Sequence, residues 1–184
     1  MMAIENAIES VGQYLFGEEA NVYAVLDGAS VSALQEQLYK FEPEYYCLYR
    51  GELEPDMAEV APYLVQLENN SKFTDWVIEK GWGNHWGIFA LSSANIREMR
   101  QHFRAFLIVY NSDGRPLKFR YYDPRVLRKY LPTCEAEELS NLFGPVSCYL
   151  LEDEEPATAL RFSAKGNALR TERLPLTASK GTAI

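Results

Sequence analysis

The segment Phe119 to Pro132, FRYYDPRVLRKYLP, compresses a strand, a sharp turn and a basic helix into one short run. Leu117, Phe119 and Tyr121 alternate with Lys118, Arg120 and Tyr122, a period of two that predicts a strand with one face on the core. Asp123 then stands where an N-cap is needed. Pro124 falls at the first helical position, where its missing N–H is no loss. Val126, Leu127, Tyr130 and Leu131 form an apolar stripe, and Pro132 ends the helix. Arg125, Arg128 and Lys129 are expected to face outward. The run carries no catalytic signature; it describes a shaped, positively charged corner.

Charge along the rest of the chain makes that corner stand out. The net charge is −8, yet residues 97–129 hold 9 of the 18 basic side chains and only 3 acidic ones. Residues 1–96 hold 4 basic and 15 acidic side chains. A nucleic-acid binder would be basic as a whole, so a local patch aimed at an acidic partner fits better. The plain alternative is that these charges solvate two exposed faces. An apolar fraction of 47% excludes a disordered chain. No apolar run approaches the ~20 residues of a membrane helix, and the acidic N-terminus does not read as a secretory signal. Three scattered cysteines, Cys47, Cys134 and Cys148, indicate neither a disulfide framework nor a zinc site. A reduced, cytoplasmic protein without metal or cofactor is expected.

Helix and strand signals alternate from end to end. Helices are predicted over 3–16, from about Ser32 (with Gln35 at capping-box spacing), over 71–80, after a Ser93 cap, and over 135–143. Strands are predicted over 21–26, 45–49, 62–67, 86–91, 146–151 and 159–163, with a hairpin joining 106–110 to 116–122 across Asn111-Ser112-Asp113-Gly114. The expected class is α/β, in the mixed α+β sense: a single mixed sheet with helices packed against it and at least one β-hairpin. Residues 1–175 are expected to form one domain and 176–184 a flexible tail.

Candidate chemistry is sparse. GWGNHWG at 81–87 invites a phosphate-loop reading, but it runs from helix to strand and lacks the Lys-Ser/Thr element. It reads better as a helix stop followed by aromatics covering a core edge. Asp27, His85 and Cys47 are candidates for a small hydrolase or transferase in a sheet-edge cleft, the alternative reading for this chain. Against it, no nucleophile elbow exists, Cys47 lies in an apolar strand pattern, and Asp27-Gly28 also reads as turn chemistry. An ion pair from Asp27 or Asp123 to Arg120 or Arg125 is a structural use of the same residues. The acidic run 152–155 is expected to be a solvated loop.

Several motifs in order carry a resemblance. LDGA at 26–29, APYLVQL at 61–67, GWGNHWGIFALSS at 81–93, QHFR at 101–104, FRYYDPRVL at 119–127 and LFGPV at 142–146 together resemble the effector chaperone or adaptor family of the bacterial type VI secretion system. The resemblance spans about residues 20–150. It implies a cytoplasmic protein that is not an enzyme, needs no cofactor, and binds a secreted toxic effector to help load it onto the VgrG spike protein. The family's arginine-rich corner corresponds to Arg120, Asp123, Pro124 and Arg125. Arg97, Arg100, Arg104, Arg120 and Arg125 are the expected partner-binding residues, with Asp123 and Pro124 shaping the turn. Neither nucleic acid nor membrane is expected as a partner.

Overall fold

The computed structural model describes residues 2–176, with side chains from residue 8 onward; the predicted tail lies outside the described residues but for Leu176. In chain order the helices are α1 (Met2–Phe16), α2 (Leu34–Phe41), α3 (Pro55–Glu59), α4 (Lys72–Gly81), α5 (Ile96–Ala105), α6 (Pro124–Tyr130) and α7 (Ala136–Phe143). The strands are β1 (Asn21–Asp27), β2 (Tyr45–Cys47), β3 (Pro62–Leu67), β4 (Gly87–Ser92), β5 (Ile108–Tyr110), β6 (Pro116–Lys118), β7 (Val146–Glu152), β8 (Thr158–Lys165) and β9 (Ala168–Pro175).

The inner strands β1, β3, β4 and β7 are apolar at almost every position instead of every second one, which requires cover on both faces. Helices supply it. Val11 and Leu15 of α1, Leu34 and Leu38 of α2, and Phe73 and Val77 of α4 pack with Val22, Ala24, Val65 and Leu91 on one face. Met99 and Phe103 of α5, Leu127 of α6, and Leu139 and Leu142 of α7 pack with Tyr23, Val25, Ile88 and Tyr149 on the other. The mixed α/β class is as expected.

Seven strands form one sheet in the order β2-β3-β1-β4-β7-β8-β9, while β5 and β6 form a separate ribbon. All pairings are antiparallel, where a mixture had been expected. The crossovers explain this. The connections β1–α2–β2 and β3–α4–β4 each return to a strand running the same way but skip one place in the sheet. An antiparallel strand fills each gap, as in a split βαβ unit.

Local differences have local causes. α2 starts after Ala33 with no side-chain cap, so the Ser32–Gln35 box is not formed. The turn before it is held instead by Asp27, which accepts from Ala29 N and Ser30 Oγ. Gly28 is required there by crowding and not by positive φ: a Cβ would meet the Glu59 and Ala61 carbonyl oxygens at 2.4 and 2.5 Å. The cap of α5 is Asn95, in a full capping box with Glu98, and not Ser93. The predicted strand 116–122 stops at Lys118. Asp123 N–H bonds back to the Arg120 carbonyl, and this turn sends both Tyr121 and Tyr122 inward.

Candidate docking surface

Two buried carboxylates organise the corner that the sequence singles out. Asp27, at the end of β1, is ion-paired with Arg120, which lies just before α6. Asp123 caps α6 through Arg125 N–H at 2.9 Å and takes the Arg125 side chain at 3.0 and 2.7 Å. Pro124 begins the helix, as expected. Both guanidinium groups stay about half exposed while their carboxylates are buried. The expected ion pairs of Asp27 and Asp123 with Arg120 and Arg125 are both present.

Burial works against the Asp123 charge, but hydrogen bonds from the Arg125 side chain and N–H, with the Arg125 and Arg120 charges, outweigh it and hold the carboxyl below its ordinary 3.8. A carboxyl with a depressed folded value stabilises fully above its unfolded value and loses that contribution as pH falls through the folded one. Asp123→Asn keeps an N-cap and loses the charge-assisted pair. It should lower stability by about 1 kcal/mol near neutral pH, because solvent screens the half-exposed Arg125. The gap to wild type should close as pH drops below 3.8 in urea titrations at stepped pH; a gap that stays constant would remove the charge from the account.

The arginines of α5 are not alike. Arg97 is exposed and has no ion-pair partner among the described residues. Arg100 stacks over the Tyr46 ring at 4.5 Å. Arg104 donates to the carbonyls of Cys47, Leu48 and Tyr49 at 2.9–3.1 Å, tying α5 to the edge of the sheet. Arg128, expected to face outward, is 9% exposed and reaches the Glu152 carbonyl, because α6 lies against β7. The structure therefore places Arg104, Arg120 and Arg125 in internal bonds as well as at the surface.

Beside this corner lies a cleft of about 620 Å³. Leu48, Leu53 and Met57 form one wall, and Leu107, Ile108 and Phe119 the other. Arg50, Arg104 and Lys118 are the charged residues lining it, and none is acidic. The β5–β6 ribbon above it exposes Ile108, Tyr110 and Leu117, at 52, 71 and 50%. Exposed apolar groups gathered with cations are the composition of a candidate docking surface. The sequence reading set Leu117 on a core-facing side of its strand and missed the exposure of this hairpin. Pro116 opening β6 and the polar 111–114 turn were the available signals of an edge ribbon.

Asp27, His85 and Cys47 each sit among different partners. Asp27 is engaged by Arg120, Ala29 and Ser30. His85 Nδ1 and its N–H meet the buried carboxylate of Glu152. The Cys47 thiol is half-buried, and burial pushes its pKa up. The GWGNHWG stretch is a helix stop after α4, as expected, and Trp82 and Trp86 pack on Phe89 and Trp76. Its free N–H groups at Gly83 and His85 are taken by Glu152. Glu152 and Asp153 are accordingly buried, a correction to the solvated loop expected over 152–155; only Glu154 and Glu155 are exposed.

A sheet covered by helices on both faces, with a laterally placed ribbon and an ion-paired corner, defines an α/β protein with a candidate protein-docking cleft. The model of the family described as Domain of unknown function (DUF4123) matches residues 22–141, and the chain belongs to that family. No curated protein and no solved structure matches it. The matched region contains the cleft, the ribbon and the corner. Among the described residues no helix is long and apolar enough to cross a membrane.

Proposed function

We propose that this protein is a non-enzymatic adaptor of the bacterial cytoplasm that binds a type VI secretion effector and promotes its loading onto the VgrG spike. The observation that carries the reading is the apolar cleft with a cationic rim beside the exposed ribbon. Family membership and the ordered motifs that resemble the type VI adaptors support it. The corner ion pairs act as its frame: Arg120 lies over the ring of Tyr122, which lines the cleft. Ile108 in the lining and Leu117 exposed on the ribbon serve as apolar anchors, Arg50 and Lys118 as the charges of the cleft, and Arg97 as an exposed charge at the other end of α5.

The test is co-purification from the native host. Ile108→Asp combined with Leu117→Asp changes two half-exposed residues and should leave the fold intact. Capture of effector and spike should fall at least about tenfold, the loss of one interface anchor. Arg97→Glu should give a smaller loss. Undiminished capture by the double variant, with folding verified by circular dichroism, would move the docking surface away from the ribbon.

A further inference from the structure

The two edges of the main sheet are built differently. At one end β2 is three residues long, and Arg104 covers the carbonyls of Cys47, Leu48 and Tyr49. A short, side-chain-covered edge is how proteins prevent strand addition. At the other end β9 is eight residues long and pairs along its whole length with β8 on one side only.

The phase of that open edge follows from the turn before it. Lys165 and Ala168 face each other across Gly166-Asn167, with Gly166 at φ 61°, a two-residue hairpin of type II′ pattern. Residues flanking such a turn form a hydrogen-bonded pair, and hydrogen-bonded pairs recur at every second residue. Arg170, Glu172 and Leu174 thus turn their N–H and C=O groups toward β8, while Leu169, Thr171 and Arg173 turn theirs outward. The Pro175 carbonyl is outward by the same count, and the Tyr14 hydroxyl donates to it at 2.8 Å. The outward groups of Leu169, Thr171 and Arg173 have no partner among the described residues.

The geometry points to a second copy of this chain as the occupant, joined edge to edge through β9 in an antiparallel pair centred on Thr171. In that register Thr171 faces its own counterpart as a hydrogen-bonded pair, and Leu169 and Arg173 of each copy extend the ladder. Arg170 then stands directly opposite Glu172 of the second copy, and the two-fold axis repeats the contact. Arg170 and Glu172 already share one face, 2.9 Å apart within the chain, so the dimer would complete a ring of four alternating charges. The two neighbouring registers that keep the hydrogen-bond phase, centred on Arg170 or on Glu172, would place that residue against its own copy, and like charges directly opposite are destabilising. Charges on an edge strand usually repel any partner; here their order admits this strand's own copy.

Light scattering coupled to size exclusion tests the pairing. The wild-type protein should approach twice its 21.0 kDa chain mass as concentration rises. Thr171→Pro removes an outward N–H without touching the bonds to β8, and should give a monomer at all concentrations with an unchanged far-ultraviolet spectrum. Should that variant fold poorly, the charge exchange decides: Arg170→Glu or Glu172→Arg alone should weaken the dimer roughly tenfold, and the two together should restore it. A wild-type protein that stays monomeric at about 100 µM, where a specific pair of micromolar affinity would be formed, overturns the assignment. So does a dimer that survives both Thr171→Pro and the single reversals. Since the ribbon and cleft are not involved, failure here leaves the adaptor reading intact, and the converse holds.

Discussion

Replacing Arg120 by alanine is expected to lower the stability of the folded chain by about 2 kcal/mol, less than breaking a fully buried ion pair costs, because Arg120 itself is half exposed. The loss comes from the residue left behind. Asp27 has only 2% of its side chain exposed, so its charge is left poorly hydrated once the guanidinium is gone. Ala29 N–H and Ser30 Oγ still bond to it, which limits the loss. A second substitution separates this account from simple loss of contacts. Adding Asp27→Asn to Arg120→Ala removes the stranded charge while keeping an acceptor for the turn, and should recover about half of the loss. Urea unfolding of the two single variants and the double variant measures all three quantities. A drop below about 1 kcal/mol for Arg120→Ala, or a double variant less stable than either single one, would sink the account.

The same corner shows what could be read from the chain and what could not. The inner strands were legible because runs such as NVYAVL and PYLVQL have no polar face, and only a sheet covered on both sides can bury them. Asp123-Pro124 was legible because a cap and a following proline act within one turn. The Asp27–Arg120 pair was visible only as an option, since 93 residues separate the partners and spacing carries no signal at that range. β9 was missed because ALRTERLP has no apolar run, as suits an edge strand, and α3 because none of its residues is buried. The antiparallel sheet was hidden for a topological reason: helical crossovers suggest parallel neighbours, and nothing local says that each one skips a place.

The candidate site was half legible on the same grounds. Arginines at i, i+3 and i+7 of α5 do share a face. Whether each meets solvent depends on what that face lies over, here Tyr46 and the carbonyls of residues 47–49. The cleft itself joins segments 48–57 and 104–122, so no single stretch of sequence describes it.

Glu152→Ala should produce the other large effect, about 3 kcal/mol, for a reason invisible in an acidic run. The carboxylate accepts from Gly83 N–H at 2.5 Å and His85 N–H at 3.2 Å, and it also meets His85 Nδ1. Gly83 and His85 both have positive φ, at 82° and 59°, which aims their N–H groups at one point. Without the carboxylate, two converging backbone donors lose their acceptor, and each orphaned donor costs about 1–3 kcal/mol. Glu152→Gln should fall between, because the amide keeps one acceptor oxygen but turns an NH2 group toward the other donors. The readout is built in. Trp82 bonds to the Pro156 carbonyl at 2.8 Å and Trp86 packs against Trp76, so loosening the loop should shift tryptophan emission to longer wavelength before global unfolding. An alanine variant within about 1 kcal/mol of wild type, with unshifted emission, would mean that the loop keeps its shape without the carboxylate, and that its aromatic packing alone suffices.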